Sequence, residues 1–368
     1  MPTVPTPTLP AFLEELAALG LRTCGPADPG AQAFAVLKAA SKERWLLVPL
    51  RGRRSVAAAL RMLTPMSPRS RAAKTAVLLL NALGLRPVWT REQVHLGGFG
   101  EAACARDWPS ATFFSGTPGP DRKITVQLQD RDGRSDAYLK LSCSPRSARL
   151  IAGEFRALRR AHALGLASAV LPSVLWYRRM DGRHALLCSD ETARGHRTVR
   201  HLDRRHFAFL DEMAQRTRTT VGASYLETLR ARVQEGAATG PDDLAERALD
   251  VLASLLAPGE VAAGLAHGDF TPWNCALAGD RLYVFDWELS ATQPLGYDHL
   301  HFLASTRGKD LLGDHPRLLE ELQRRWHPGS PAGVRFLLIA YLLGRISGED
   351  APAGRDLLRR VLSDPGGR

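Results

Sequence analysis

The sequence predicts an α+β fold of two lobes, a small antiparallel-sheet lobe with one helix and then a mainly helical lobe, preceded by a small α/β domain. Three observations predict it. Residues 111 to about 187 carry strand patterning broken by a single helix, residues from about 200 onward are mainly helical, and the first 90 or so have a helix-and-strand pattern of their own. The boundaries read from these shifts are 1–90 for an accessory domain of unknown role, 91–190 for the sheet lobe and 191–368 for the helical lobe. A chain of 368 residues is long enough for two or three domains with separate cores.

In the leading segment, Leu9, Phe12, Leu13, Leu16 and Leu19 fall at helical spacing before Gly20, a natural stop. Ala33 to Ala39 and Arg44 to Leu50 read as two strands around the polar break at 40–43. Ser67-Pro68 then reads as an N-cap followed by proline at the first helical position, opening a helix that can run to about Leu83. In the sheet lobe, Phe113 to Pro120 and Lys123 to Leu128 read as strand, glycine turn and strand, with Gly116 and Gly119 in the turn. Ala137 to Leu141 is an apolar strand interrupted by Lys140. Ser144-Pro145 opens the next helix and Gly165 ends it. Within that helix Leu150, Glu154 and Leu158 recur at i, i+4 and i+8, so Glu154 lies on the inward stripe and wants a cation, Lys140 or a neighbouring arginine such as Arg146. His184 to Glu191 runs from apolar strand into polar linker.

Composition excludes several classes. Hydrophobic residues at 45% and charged residues at 24% are globular proportions. The formal net charge is +11, and Lys38, Lys42, Lys74, Lys123, Lys140 and Lys309 are the only lysines among 49 basic residues. The surplus reads either as a solvated surface or as a face for an anionic partner: a nucleotide, an acidic glycan or a membrane surface met peripherally. Arg51, Arg53 and Arg54, and Arg194, Arg197, Arg200, Arg204 and Arg205, are its clusters. No basic stretch is interleaved with stacking aromatics and no zinc-finger spacing occurs, so no nucleic-acid partner is expected. Cys24, Cys104, Cys143, Cys188 and Cys275 are odd in number, dispersed and never C-x-x-C, which argues against a disulfide framework and for a reducing compartment. The N-terminus lacks the charged and apolar regions of a signal peptide. The longest apolar runs fall far short of the roughly 20 residues of a membrane span, so a cytoplasmic location is expected.

The strongest chemical signal is His267-Gly-Asp-Phe-Thr-Pro-Trp-Asn274, followed by the strand Leu282 to Phe285 and then Asp286-Trp-Glu288. Cys275 to Ala278 and Arg281 to Phe285 can pair as a hairpin across the two-residue turn Gly279-Asp280. That register sets Ala278 opposite Arg281 and Asn274 opposite Phe285, so Asn274 and Asp286 meet at the open end beside the loop carrying Asp269. Two side-chain oxygens so placed can hold Mg²⁺ on ATP phosphates, and the Asp269 carboxylate can take a proton from an incoming hydroxyl. The plainer reading makes Asp269 and Asn274 turn residues and Asp286 a strand-end cap.

The H-G-D-x-x-x-x-N loop, the D-x-E that follows it, and then Gly296 and Asp298 resemble, in that order, the aminoglycoside phosphotransferase and choline kinase group of small-molecule kinases. The likeness runs from about Phe113 to His301, about half the chain. It implies a protein-kinase-like fold, ATP and Mg²⁺ as cofactors, and a small-molecule hydroxyl acceptor. It also implies Asp269 as catalytic base, Asn274 and Asp286 as metal ligands, and His267 and Asp298 as supports of the loop. The resemblance demands a strand lysine well upstream, which Lys140 supplies for the α- and β-phosphates, with Glu154 as its partner. By position, Gly116 and Gly119 would let backbone approach phosphates, although Pro118 and Pro120 remove two donors. Cys188, Ser189 and Asp190 would offer hinge backbone to adenine, in a register that can shift by two.

A protein kinase would carry H-R-D, D-F-G and a long activation segment, whereas here Gly268 stands second in the loop and Trp287 follows Asp286. The alternative to an enzyme is a non-catalytic nucleotide-binding scaffold that recruits a partner through its leading domain; the presence of Lys140, Glu154, Asp269, Asn274 and Asp286 favours the enzyme. The basic stretch Arg194 to His206 would repel a polycation, so the acceptor expected is a neutral or acidic hydroxyl compound, a sugar or related glycan precursor. Asp211, Glu212, Glu227 and Asp298 could instead line a local acidic pocket.

Overall fold

Helix α1 (Leu9–Ala17) starts at Thr8, whose hydroxyl accepts the Ala11 amide, and Pro10 stands in its first turn, where a missing N–H costs nothing. The computed structural model describes residues 8–39, 44–63, 68–85, 88–99, 108–180, 182–191, 199, 201–236, 242–256, 259–307, 315–327, 330–345 and 351–363. The chain divides into two units, residues 2–160 with 171–196 and residues 161–170 with 197–368.

The first unit is built on a nine-stranded sheet. Its strands are β1 (Arg22–Thr23), β2 (Gln32–Ala39), β3 (Arg44–Pro49), β4 (Gln93–Gly97), β5 (Ser110–Phe114), β6 (Lys123–Gln129), β7 (Ser135–Ser142), β9 (Val174–Met180) and β10 (Arg183–Ser189); β8 (Ala169–Val170) belongs to the second unit. The spatial order is β1-β4-β2-β3-β5-β6-β7-β10-β9. Every neighbouring pair is antiparallel. Leu46 and Leu47 of β3 pair with Phe114 and Phe113 of β5, so one sheet runs from the leading segment into the strand of Lys140. The boundary read at about residue 90 falls inside this sheet.

Strand alternation fills both faces. Phe34, Val36 and Leu47 point to one side, with Phe12 and Leu16 of α1 and with Phe113, Val126 and Leu139. Ala35, Leu46 and Val48 point to the other, against Val56, Ala59 and Leu60 of α2 (Arg53–Arg61) and Trp89. Two covered faces explain why Trp45 to Val48 reads as an unbroken apolar run. Helix α3 (Pro68–Ala82) begins at Pro68, and its expected cap Ser67, like the break at 40–43, lies outside the described residues. Helix α4 (Pro145–Ala163) is capped by Ser144, whose hydroxyl accepts the Ser147 amide at 3.0 Å.

Buried polar groups fasten the helices to the sheet. Gln127 and Gln129, on the α2 side of β6, each donate through Nε2 at 3.1 Å, to the carbonyls of Ala58 and Ser55. On the α1 side, the Arg122 guanidinium, 7% exposed, makes a two-pronged pair with Glu15 and donates through Nε to the Ser115 carbonyl at 3.0 Å.

The second unit is helical: α5 (Arg204–Arg216), α6 (Ala223–Gly236), α7 (Asp243–Leu256), α8 (Tyr297–Arg307), α9 (His315–Trp326), α10 (Pro331–Leu343) and α11 (Ala351–Ser363). The apolar stretch Phe336 to Leu343 is the centre of this unit, a helix buried all round and packed against α7, α9 and α11. Among the described residues no helix is long and apolar enough to cross a membrane. Arg194, Arg197 and Arg200 lie outside the described residues; Arg205 pairs with Asp203, the N-cap of α5. Two small sheets complete the unit: β12 (Val261–Ala266) between β11 (Thr219–Val221) and β15 (Ala291–Pro294), and the hairpin of β13 (Cys275–Ala278) and β14 (Arg281–Val284) with β8 alongside β14.

Removing Glu15 leaves a guanidinium buried without its carboxylate. Glu15→Ala should therefore lower stability by about 3 kcal/mol in urea unfolding. A loss of about 0.5 kcal/mol or less, typical of an exposed pair, would contradict the buried clamp.

Candidate active site

Strand β12 ends at Ala266, and the loop His267–Asn274 turns away from it under the control of one carboxylate. Asp298, in the first turn of α8, accepts the His267 amide on Oδ2 at 2.7 Å and the Gly268 amide on Oδ1 at 2.9 Å. Burial pushes the Asp298 carboxyl above its ordinary range, against the pull of the two amides. Gly268 adopts φ +87°, and a Cβ there would stand 2.2 Å from the Leu289 carbonyl oxygen, so only glycine fits the second position of the motif.

The His267 ring closes the other side. Its Nε2 lies 2.9 Å from the Phe285 carbonyl, which can only accept, so Nε2 carries the proton; Nδ1 then accepts the Asp269 amide at 3.3 Å. Buried Trp287 packs edge-on against this ring at 4.8 Å and donates to the Val284 carbonyl. Phe270 anchors the loop between Phe209 and Phe302, at 5.4 and 5.7 Å.

The β13–β14 ladder sets Ala278 opposite Arg281 and Cys275 opposite Val284, and the Phe285 amide donates to the Asn274 carbonyl at 3.1 Å. Asn274 and Asp286 therefore flank the end of the ladder, in the register that the turn dictates. Asp286 is the one non-glycine residue among those described with positive φ, at +68°. Aspartate tolerates that region better than most, yet holding it there costs on the order of 1–3 kcal/mol. Asn274 donates through Nδ2 to the Asp269 carbonyl at 2.9 Å and to Asp269 Oδ2 at 2.7 Å. Both amide protons are thereby committed, leaving the side-chain oxygen of Asn274 as the atom that could hold a metal. An amide oxygen and a carboxylate are the hard donors that suit Mg²⁺.

The second oxygen of Asp269 meets a residue the motif did not single out. His301 Nε2 lies 2.8 Å from Asp269 Oδ1, and His301 Nδ1 faces Tyr341 Oη at 3.1 Å and Arg345 Nη2 at 2.7 Å. Burial lowers the His301 pKa below its ordinary value, and Arg345 lowers it further against the Asp269 hydrogen bond. The signal available in the sequence was spacing: Asp298 and His301 are three residues apart on one helix and so share a face.

In the sheet unit, β7 and α4 bring Lys140 and Glu154 together: Nζ lies 2.6 and 2.7 Å from the two carboxylate oxygens, with Glu154 3% exposed. Gly116 and Gly119 sit in the β5–β6 connection with φ +81° and +135°. A Cβ on Gly116 would meet the Lys123 carbonyl oxygen at 2.1 Å, so hairpin packing itself demands glycine there. Cys188 lies inside β10, paired with Tyr138 and Val174, and burial pushes its thiol up to about 12. The Ser189 amide donates to the Ser173 carbonyl at 2.9 Å and the Asp190 amide to the Asp136 carbonyl at 2.8 Å, so these two donors are already in use.

The four acids considered for an acidic pocket have other employment in three cases. Asp211 pairs with Arg325 at 2.6 Å, and Asp298 holds the loop. Glu212 accepts the Ala167 and Ser168 amides, each at 2.9 Å; burial would raise its carboxyl, yet these bonds, the Ser168 hydroxyl and Arg216 hold it at about 2.

A family model described as a phosphotransferase enzyme family matches residues 122–337, well over half of the chain. Among solved structures, a thermostable mutant of aminoglycoside phosphotransferase APH(4)-Ia in ternary complex with ADP and hygromycin B is 14% identical, covers 68% of this chain and 93% of its own, and has a TM-score of 0.44. Amicoumacin kinase hAmiN in complex with AMP-PNP, Ca²⁺ and Ami is 17% identical over 66% of this chain and 85% of its own, with a TM-score of 0.42. The GDP complex of wild-type aminoglycoside 2'-phosphotransferase-IIIa is 13% identical over 69% and 93%, also at 0.42. No curated protein matches the sequence.

A buried Glu154 without its cation is costly, so Lys140 and Glu154 should be energetically coupled. A double-mutant cycle of Lys140→Met and Glu154→Gln, read by thermal unfolding, should give a coupling of about 1–3 kcal/mol. Strict additivity would contradict the pairing.

Proposed function

The chain belongs to the phosphotransferase enzyme family, and on that premise we propose that it moves the γ-phosphoryl group of ATP, with Mg²⁺, onto a hydroxyl of a small molecule, a sugar or related glycan precursor. The observation that carries this reading is the Asp269 carboxylate, held on one oxygen by Asn274 and on the other by His301, in a loop whose backbone Asp298 fixes.

In the proposed reaction Asp269 accepts the proton of the acceptor hydroxyl as that oxygen bonds to the γ-phosphorus. The bond from the γ-phosphorus to the bridging oxygen breaks, and ADP leaves with its electron pair. Asn274 and Asp286 would hold Mg²⁺, which when bound offsets charge on the phosphate oxygens. Lys140, oriented by Glu154, would contact the α- and β-phosphates as a compact cation. His267 and Asp298 keep the loop in shape. Gly116, Gly119 and the Cys188–Asp190 segment are the proposed lining for the nucleotide. Residues 91–190 and 191–368 would be the two lobes of the enzyme, with residues 1–90 as an accessory segment.

Charge limits the acceptor class. A polyamine sugar needs a carboxylate for each ammonium it desolvates, and of the four candidate acids Asp211, Glu212 and Asp298 are already engaged, leaving Glu227. The chain's surplus of arginine favours a neutral or anionic compound. The odd, dispersed set of five cysteines favours a reducing, cytoplasmic setting.

Asp269→Asn should lower turnover by about 10²–10⁴-fold and leave Mg-ATP affinity nearly unchanged, whereas Asp286→Ala should weaken Mg²⁺-dependent nucleotide binding. Calorimetric titration with Mg-ATP and a mass-spectrometric screen of neutral, acidic and amino sugars check both. Wild-type turnover in Asp269→Asn would sink the base assignment. Efficient phosphorylation of kanamycin-like compounds, with none of neutral or acidic sugars, would overturn the acceptor class.

A further inference from the structure

We infer that His301 and Arg345 are positioning residues for Asp269: Arg345 locks His301 into the Nε2–H tautomer, and His301 in turn fixes the Asp269 carboxylate through Oδ1. The inference rests on the role proposed above for Asp269 and adds the device that aims it.

The proton count decides the tautomer. Arg345 Nη2 lies 2.7 Å from His301 Nδ1 and 3.2 Å from Nε2, and a guanidinium can only donate. Asp269 Oδ1, 2.8 Å from Nε2, accepts when ionised. The arrangement that satisfies both puts the one ring proton on Nε2, directed at Asp269, and the lone pair on Nδ1, directed at Arg345. Tyr341 Oη, 3.1 Å from Nδ1, can then donate as well. A doubly protonated ring would set two cations side by side in a buried place, which both burial and Arg345 disfavour.

The support behind the imidazole comes from the end of α10. Arg345 follows Gly344, the C-cap of α10, and its guanidinium lies over the Tyr341 ring at 5.1 Å. Among the described residues no carboxylate pairs with Arg345, and its guanidinium is directed at His301. His301 lies one helical turn beyond Asp298 on α8. A single helix therefore fixes the loop twice, at the backbone through Asp298 and at the reactive side chain through His301.

Two consequences follow for the chemistry. With Oδ1 tied to His301 and Oδ2 to Asn274, the carboxylate cannot rotate, and its remaining lone pairs keep one direction. The imidazole cannot be the base itself, because its only lone pair is turned to Arg345 and Tyr341. The proton taken from the acceptor ends on Asp269.

The test uses the full chain labelled with ¹⁵N-histidine. Long-range ¹H–¹⁵N spectra should show His301 as a neutral Nε2–H ring whose Nε2 resonance moves in Asp269→Asn, and whose single tautomer is lost in Arg345→Met. With Mg-ATP and water as acceptor, read as ADP release, His301→Ala should lower kcat by about ten- to hundred-fold with the KM for Mg-ATP nearly unchanged, and His301→Gln, which keeps an N–H donor, should recover part of the loss. Should His301→Ala fail to fold, Arg345→Met, which leaves the ring in place, is expected to show the same loss of kcat. A His301 protonated on Nδ1, an Nε2 resonance indifferent to Asp269→Asn, or wild-type kcat in both His301→Ala and Arg345→Met would overturn the inference. The spectra need neither ATP nor an acceptor, so failure of the contact is separable from failure of the proposed reaction.

Discussion

The Asp298 carboxylate is the constraint on which the rest of the site depends. It gathers the amides of His267 and Gly268, consecutive donors that would otherwise be orphaned where β12 stops. Each such bond to a charged group contributes on the order of 1.5–3 kcal/mol, and leaving either amide buried and unpaired would cost a similar amount. Everything beyond is positioned from that point. Gly268 must pass the Leu289 carbonyl too closely for any side chain, the His267 ring reaches the Phe285 carbonyl, and Asp269 is delivered between Asn274 and His301.

The loop and the hairpin hold each other. His267 grips Phe285 just past the end of β14, and Asn274, just before β13, grips Asp269, so the Asp269 carboxylate and the end of the hairpin cannot drift independently. Trp287 fills the space behind His267 and explains why an indole follows Asp286 in this chain. The left-handed backbone at Asp286 is strain that the surrounding packing must offset, and strain of this kind gathers at working sites. In the sheet unit the same logic is simpler: a lysine placed mid-strand by a covered sheet meets the one carboxylate on the inward stripe of α4.

What the sequence made legible was whatever is encoded locally. The two-residue turn Gly279-Asp280 dictated the hairpin register, and the helical spacing of Leu150, Glu154 and Leu158 told which way Glu154 points. The helix starts at Pro68 and Pro145 follow from proline's tolerance of a first turn. What stayed hidden were pairings between segments far apart in the chain. Strand patterning marked β3, yet nothing local says that it pairs with β5 and joins the leading segment to one large sheet. The amides of Ser189 and Asp190 are taken by carbonyls at Ser173 and Asp136, and Arg345 reaches His301 across 44 residues. Glu212 looks from its sequence like an acid available to a ligand, and only the fold gives it Ala167 and Ser168 to cap.

The claim that one carboxylate shapes the loop is tested most directly by amide hydrogen exchange at His267 and Gly268, resolved by NMR in the wild type and in Asp298→Ala. Protection at these positions should come from Asp298, so both amides should exchange slowly in the wild type and at least about tenfold faster in the variant, while the amides of β12 keep their rates. Unchanged exchange at His267 and Gly268 in Asp298→Ala would contradict the account, since the loop would then hold its shape without the group assigned to it.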